Sequence, residues 1–296
     1  MSQLTRKSQR ARISLEANQH QTTSPLIMRS LIKAINGHRP FLVDYQIAKE
    51  HLELKSKQGF TDLLSQIFGE TPKPYQVGGT YIIPVMGMIG SGLSPLEAFG
   101  SADVQKIDDQ IDEALAANPK RILFHINSDG GTVEGVEELA TKIRSLPMDT
   151  IAFSSGSMNS AALWIGAAAN RVVVTPSASV GSVGVYVTLV DMSAQAKASG
   201  LEVKVIKSGA LKGIGIPGAP VTSEQEAYLQ QEVNELADTF KASVRMKRKL
   251  VKDEDMQGQS FSGKMAAQKG FATGLANSLK DLLVQLEGKG AQITKV

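Results

Sequence analysis

The 296-residue sequence predicts an α/β fold with a largely parallel sheet, carried behind a helical N-terminal extension. Three observations predict it. From Tyr81 onward, short runs rich in Val, Ile, Phe and Thr alternate with amphipathic patterns of about 10–15 residues, the mark of repeated strand–helix units. Strands joined in this way return through right-handed crossovers and lie side by side in one parallel sheet. Hydrophobic residues make up 42% of the chain, enough to cover both faces of such a sheet.

Along the chain, residues 1–25 (MSQLTRKSQRARISLEANQHQTTSP) are expected to be a disordered basic arm, because no apolar stretch follows the charged start. Residues 26–75 form the helical extension. SPLIMRSLIKAING closes at Asn36-Gly37, a second pattern runs through VDYQIAKEHLELKSKQGFTDLLSQIFGE, and TPKPYQVGG reads as a linker. The main domain then spans 76–286, with 287–296 as a tail. YIIPVMGMI is a strand, and DVQKIDDQIDEALAAN is a helix with Ile107, Ile111 and Leu115 on one face, stopped by Asn118-Pro119. RILFHINS is a buried strand, DGG a tight turn and VEGVEELATKIRSL a helix. TIAFSSG is a strand, and GSMNSAALWIGAAA a helix of small residues. RVVVTP, VGVYVTL and LEVKVIKSG are further strands, with AQAKASG a helix between the last two. VTSEQEAYLQQEVNELADTFKASVRMKRKL is a long helix, opened by a Ser223/Glu226 capping box and closed by basic residues that suit its dipole. FSGKMAAQKGFATGLANSLKDLLVQL ends the domain as a helix, a glycine-rich turn and a final helix.

Composition removes several functions. A net charge of +3 with no aromatic-studded basic stripe argues against a nucleic-acid enzyme, although the arm could tether a scaffold or nucleic acid. The absence of cysteine excludes disulfides, thiolate zinc sites and cysteine nucleophiles, and it fits a reducing, cytoplasmic setting. No apolar run reaches the roughly 18–20 residues of a membrane helix, and no His/Asp/Glu group has metal-ligand spacing.

What remains is a hydroxyl chemistry. Ser160 sits at the start of a segment of small residues, either as a polar residue tolerated at a packed helix end or as a nucleophile. A serine needs a base. None of the histidines follows it in sequence; His125, inside a strand, could reach the site as the base of a Ser-His-Asp triad, although packing within the sheet is the simpler reading. Lys212 in SGALKGIGIPGAP has small and apolar neighbours, with no acidic residue between Lys207 and Thr222, so it can lose water without gaining an ion pair. The bland alternative is a lysine on an exposed loop. Gly130-Gly131 can turn backbone N–H groups toward an oxyanion, or simply make a βα turn. Ser182, between glycines, can orient a neutral amine or cap a turn. Asn159 and Trp164 flank the serine as candidate substrate contacts, and Trp164 is equally suited to the core.

In chain order, NSDGG, GSMNSAA, GSVGV, KSGALKG and FSGKMAAQKGFATGL resemble the motifs of signal peptide peptidase A-like serine peptidases, including the phage capsid assembly (head maturation) proteases, on the ClpP/crotonase-like fold. The resemblance covers roughly residues 80–285. It implies Ser160 as nucleophile, Lys212 as base and Ser182 as the residue orienting Lys212. The N–H of Gly131, with that of Ser160 or Ala161, would form the oxyanion hole, and Gly130, Asn159 and Trp164 would line the substrate groove. It implies no cofactor and no metal, an extended polypeptide substrate, and a homo-oligomer whose sites are shared between subunits. The N-terminal extension and the lack of a membrane span are similar to the procapsid branch, which acts on scaffold and capsid proteins in the host cytoplasm or procapsid. Soluble cellular peptidases of the family are the nearest alternative. A crotonase-like acyl-CoA enzyme and an assembled but inactive homologue are alternatives of other classes. One departure stands out: Asp129 replaces the usual proline, and its carboxylate is expected to point outward or cap the following helix.

Overall fold

The structure, a computed structural model, describes residues 72–93, 100–288 and 293–295, which lie in the compact unit formed by residues 68–296. The expected arm, and the helices expected between residues 26 and 71, fall outside the described residues. Strands β1 (Tyr75–Val77), β2 (Thr80–Met86), β5 (Arg121–Asn127), β6 (Asp149–Ser154), β8 (Arg171–Val174), β11 (Gly274–Leu275) and β12 (Ile293–Lys295) make one sheet in the order β11-β8-β6-β5-β2-β1-β12. The five strands from β11 to β2 are parallel, while β1 and β12 add antiparallel at one edge. The α/β fold with a largely parallel sheet is therefore as expected. Two readings change at that edge. The glycine- and proline-containing linker near residue 75 contributes β1, and the C-terminal tail contributes β12, because each supplies the pairing the other lacks.

The alternation of side chains along each strand divides the core in two. Tyr81, Ile83, Val85, Ile122, Phe124 and Ile126 face helices α1 (Val104–Ala117), α2 (Val136–Ser145), α3 (Ala161–Ala167) and α5 (Ser223–Lys247). Ile82, Leu123, Ile151 and Phe153 face the other way, toward the closing helix α7 (Leu279–Glu287) and its Leu282. Each such side chain, fully buried, contributes roughly 1.5–3 kcal/mol. Helix starts follow capping chemistry. Asp103 accepts from the Gln105 N–H to open α1, and Ser278 accepts from Asp281 N–H to open α7. The capping box of α5 lies one residue before its expected place: Thr222 and Gln225 exchange the bonds, not Ser223 and Glu226.

Beyond the carboxyl ends of the parallel strands lie two small sheets. One pairs β3 (Met88–Gly90) with β4 (Ser101–Asp103), and the other orders β10 (Ser260–Ser262), β9 (Ser179–Gly181) and β7 (Ser157–Asn159). The segment expected as one helix from Gly156 is thus split: Ser157–Asn159 is a strand and only Ala161–Ala167 is helical. VGVYVTL and LEVKVIKSG form no strands. Residues 184–192 and 201–207 are irregular, with Val187, Val190, Leu201 and Ile206 exposed and the short helix α4 (Ser193–Ala198) between. Helix α6 (Gly263–Gln268) packs beside β10 as expected from the closing motif.

Candidate active site

Ser160 occupies the one-residue joint between β7 and α3. Its backbone is held at φ 52°, ψ −127°, outside the regions L-residues favour and costing about 1–3 kcal/mol. Three interactions enforce that shape. The Ser160 N–H donates to Gly181 O at 2.9 Å, the Trp164 N–H donates to Ser160 O at 3.0 Å as the first helical bond, and Asn159 N–H donates to Ser128 O at 3.1 Å. The hydroxyl therefore stands above the N-terminus of α3, whose first-turn N–H groups carry partial positive charge. It is part-exposed and makes no hydrogen bond of its own among the described residues.

The turn after β5 is pressed against it. Gly130 has φ 106°, and a Cβ there would lie 2.6 Å from Ser160 Cβ and 3.0 Å from its Oγ, so only glycine fits. The two glycines are not equivalent. Gly130 N–H donates to the Ser128 hydroxyl at 3.1 Å, whereas Gly130 O accepts from the Ile89 N–H at 2.9 Å. A trans peptide points the next N–H opposite to that carbonyl. Gly131 N–H is accordingly aimed away from β3 and has no acceptor among the described residues. Gly131 must itself be glycine, since a Cβ would sit 1.9 Å from Ile89 O.

Ser182 adjoins this group through Gly181. It too has a left-handed backbone, φ 54°, fixed by its N–H donating to Gln259 O at 2.8 Å. Ser160, Ala161, Gly130, Gly131 and Ser182 are thus brought together. Lys212 is not. It lies on an exposed turn, its amine without a hydrogen bond or ion pair among the described residues, so the water-free surroundings expected for it are missing there. Trp164 and Asn159 do not line a groove either. Trp164 is buried in the core, stacked on Phe240 with ring centroids 4.5 Å apart and planes 4° from parallel. Asn159 is buried and its amide is fully engaged: Nδ2 donates to Ser179 Oγ at 3.0 Å and Asp129 Oδ1 at 3.3 Å, and Oδ1 accepts from Ser260 Oγ at 3.0 Å. Asp129 is exposed, with its Oδ1 on the Asn159 amide, and does not cap α2, whose N-cap is Gly135.

Sequence reading missed Ile89, which orients the turn, and Ser179 and Ser260, which pin Asn159. Only the tertiary fold brings those segments to the serine. Missed as well was Arg248, 3% exposed, whose Nη2 donates to Ala169 O at 2.6 Å and Asn170 O at 2.9 Å and so clamps the chain just past the far end of α3. Burial lowers its pKa to about 10. His125 packs against Phe153 within the sheet, with ring centroids 5.8 Å apart and planes tilted by 45°, and burial lowers its pKa, in keeping with a packing role. Among the described residues no group of His, Asp and Glu could hold a metal ion, and no helix is long and apolar enough to cross a membrane.

A hydroxyl on a strained strand-to-helix joint, with a glycine turn pressed against it whose second N–H has no acceptor among the described residues, is a layout of the serine-hydrolase class. Residues 144–289 match the model of Peptidase family S49. The chain is 32% identical to a putative protease, MJ0651, of Methanocaldococcus jannaschii over 57% of its own length and 55% of that protein's. It is 27% identical to capsid assembly protease C of Escherichia phage lambda, over 76% of its own length and 53% of the other's. It therefore spans about half the length of the curated relatives it matches. Among solved structures, a ClpP1 mutant from Listeria monocytogenes aligns with a TM-score of 0.45 at 12% identity, covering 68% of this chain and 94% of that one.

Proposed function

We propose that the protein is a serine endopeptidase using a Ser160–Lys212 pair, assembled from more than one copy of the chain. The observation that carries the reading is the Gly131 N–H, held without an acceptor beside the strained Ser160. The neutral Lys212 amine takes the Ser160 proton as Oγ bonds to the substrate carbonyl carbon. The resulting oxyanion accepts hydrogen bonds from Gly131 N–H and Ala161 N–H. The lysine ammonium then protonates the leaving amine as the C–N bond breaks. A water molecule attacks the ester, its proton passing through Lys212 back to Ser160. Ser182 accepts a hydrogen bond from the amine and aims its lone pair.

Only an uncharged amine can accept the proton, and burial is what removes the charge. Lys212 is exposed in one chain, so a second copy supplies the burial, closing over residues 184–219. The substrate lies extended along Gly131–Thr132. One edge of that segment is taken by β3, where Thr132 N–H donates to Ile89 O at 2.9 Å, and the other is exposed. The names of the phage relatives favour capsid or scaffold precursors as substrates, with cellular peptide degradation as the second reading.

A fluorophosphonate probe, mass-mapped on wild type, Ser160→Ala and Lys212→Ala, tests the assignment. Labelling at Ser160 that falls at least about a hundredfold without the lysine is expected. No labelling of an assembled sample would support an inactive structural homologue. Turnover of CoA esters would support the crotonase-like alternative.

A further inference from the structure

We infer that Asp129 makes the site select a cationic residue, Lys or Arg, next to the bond that is cut. This rests on the peptidase reading above and adds to it the chemistry of the substrate. Asp129 immediately precedes Gly130, whose Cα packs against Ser160, and consecutive Cα atoms are about 3.8 Å apart. Its Oδ1 touches the side chain of Asn159, the residue before Ser160, which places the carboxylate within reach of a long side chain next to the scissile bond. The carboxylate is anchored but not neutralised. Oδ1 accepts from Asn159 Nδ2 at 3.3 Å, and Asn159 is itself pinned by Ser179 and Ser260. Asp129 is exposed and enters none of the ion pairs among the described residues.

An unpaired negative charge two residues from Gly131, whose N–H serves the oxyanion, works against the chemistry, because it opposes the charge that develops on the substrate oxygen. A substrate that brings its own cation removes that conflict and gains an ion pair. A neutral substrate leaves the conflict in place, and an acidic one deepens it. The same carboxylate thus discriminates twice, in binding and in the transition state.

Peptides that differ only in one residue flanking the cut (Lys, Gln or Glu) give the readout as ratios of kcat/KM, in which loss of folded enzyme cancels. Wild type is expected to prefer Lys over Gln by roughly five- to tenfold, and the preference should shrink as salt rises from about 0.05 to 0.5 M. Asp129→Asn, which keeps an acceptor for Asn159, brings the ratio near one, and Asp129→Lys turns it toward Glu. The salt series needs no variant, so it decides the matter even if the variants fold poorly. A wild type that is labelled on Ser160 and cleaves all three peptides equally overturns this inference and leaves the peptidase reading standing. Absence of both labelling and cleavage removes the reading and the inference together.

Discussion

At Ser160 the backbone carries as much of the argument as the hydroxyl. A left-handed serine between a strand and a helix persists only if its surroundings over-determine it, and here Gly181, Ser128 and Gly130 do so. The tightest of these is Gly130. Adding one methyl, as in Gly130→Ala, requires a displacement of Ser160 by several tenths of an ångström or more and forces φ 106° on an L-residue. Displacements of that order at a reacting atom cost about a hundredfold in rate. Fluorophosphonate labelling of Gly130→Ala is expected to fall by about that factor while circular dichroism still reports a folded protein; labelling at the wild-type rate would show that the contact does not position the serine. The residue types at this point were legible in the sequence, because small residues and glycines around a hydroxyl are unusual enough to notice. That Gly131 has the unused N–H was implied by the family resemblance, but the reason for it was not legible in the residues. That depends on Ile89 and Ser128 taking the polar groups of Gly130, and nothing in the motif NSDGG names Ile89.

At the scale of elements, hydrophobic period identified β2, β5, β6 and β8 of the main sheet and most of its helices, since each buries a face within its own chain. It failed where the burial or pairing is supplied by something else. GSMNSAALWIGAAA reads as one helix because its small residues suit one, yet Ser157–Asn159 is drawn into pairing with β9, and the helix begins only after the joint. LEVKVIKSG has the alternation of a strand, and a strand without a neighbour has no ladder to form. The closing helix α7 shows the opposite case, an element secured by a single polar residue. Glu287 accepts from Thr80 Oγ1 at 2.6 Å and Gly79 N–H at 2.9 Å and pairs with Arg121, tying the helix to the start of β2 and β5. Burial alone would raise its pKa, but those hydrogen bonds and the nearby Arg121 and Lys120 prevail and hold it below the ordinary carboxylate value. A carboxyl depressed on folding contributes stability above the unfolded pKa, about 4.3, and loses it as pH falls through the folded value. The melting temperature should therefore drop on acidification below about pH 4.5, and Glu287→Gln should be less stable near neutrality and respond less to acid. An unchanged acid response in that variant would remove Glu287 from the account.

For the molecule as a whole, the described surface is incomplete in one region. Val187, Val190, Leu201 and Ile206 are exposed in a stretch whose sequence alternates like strands, and Lys212 follows on the same stretch. Assembly that pairs and covers this region would account for both the apolar side chains and the need for a dry lysine. Two measurements bear on it. Light scattering should report an oligomer for wild type and a smaller species for Val190→Asp/Ile206→Asp, with Ser160 labelling lost in parallel. Mixing Ser160→Ala with Lys212→Ala chains should restore labelling if the lysine crosses between copies, and should restore none if each chain completes its own site. Such a partner is invisible to a one-chain sequence pattern, which explains why the candidate base was named from its neighbours but its surroundings were not obtained.

The stack of Trp164 on Phe240 has a practical outcome. Because the chain has a single tryptophan and it lies one turn behind Ser160, buried between α3 and α5, its intrinsic fluorescence comes from the structural wall behind Ser160. Emission wavelength, quenching by acrylamide and polarisation would each follow the seating of that wall during subunit assembly or inhibitor attachment, with no dye and no engineered label.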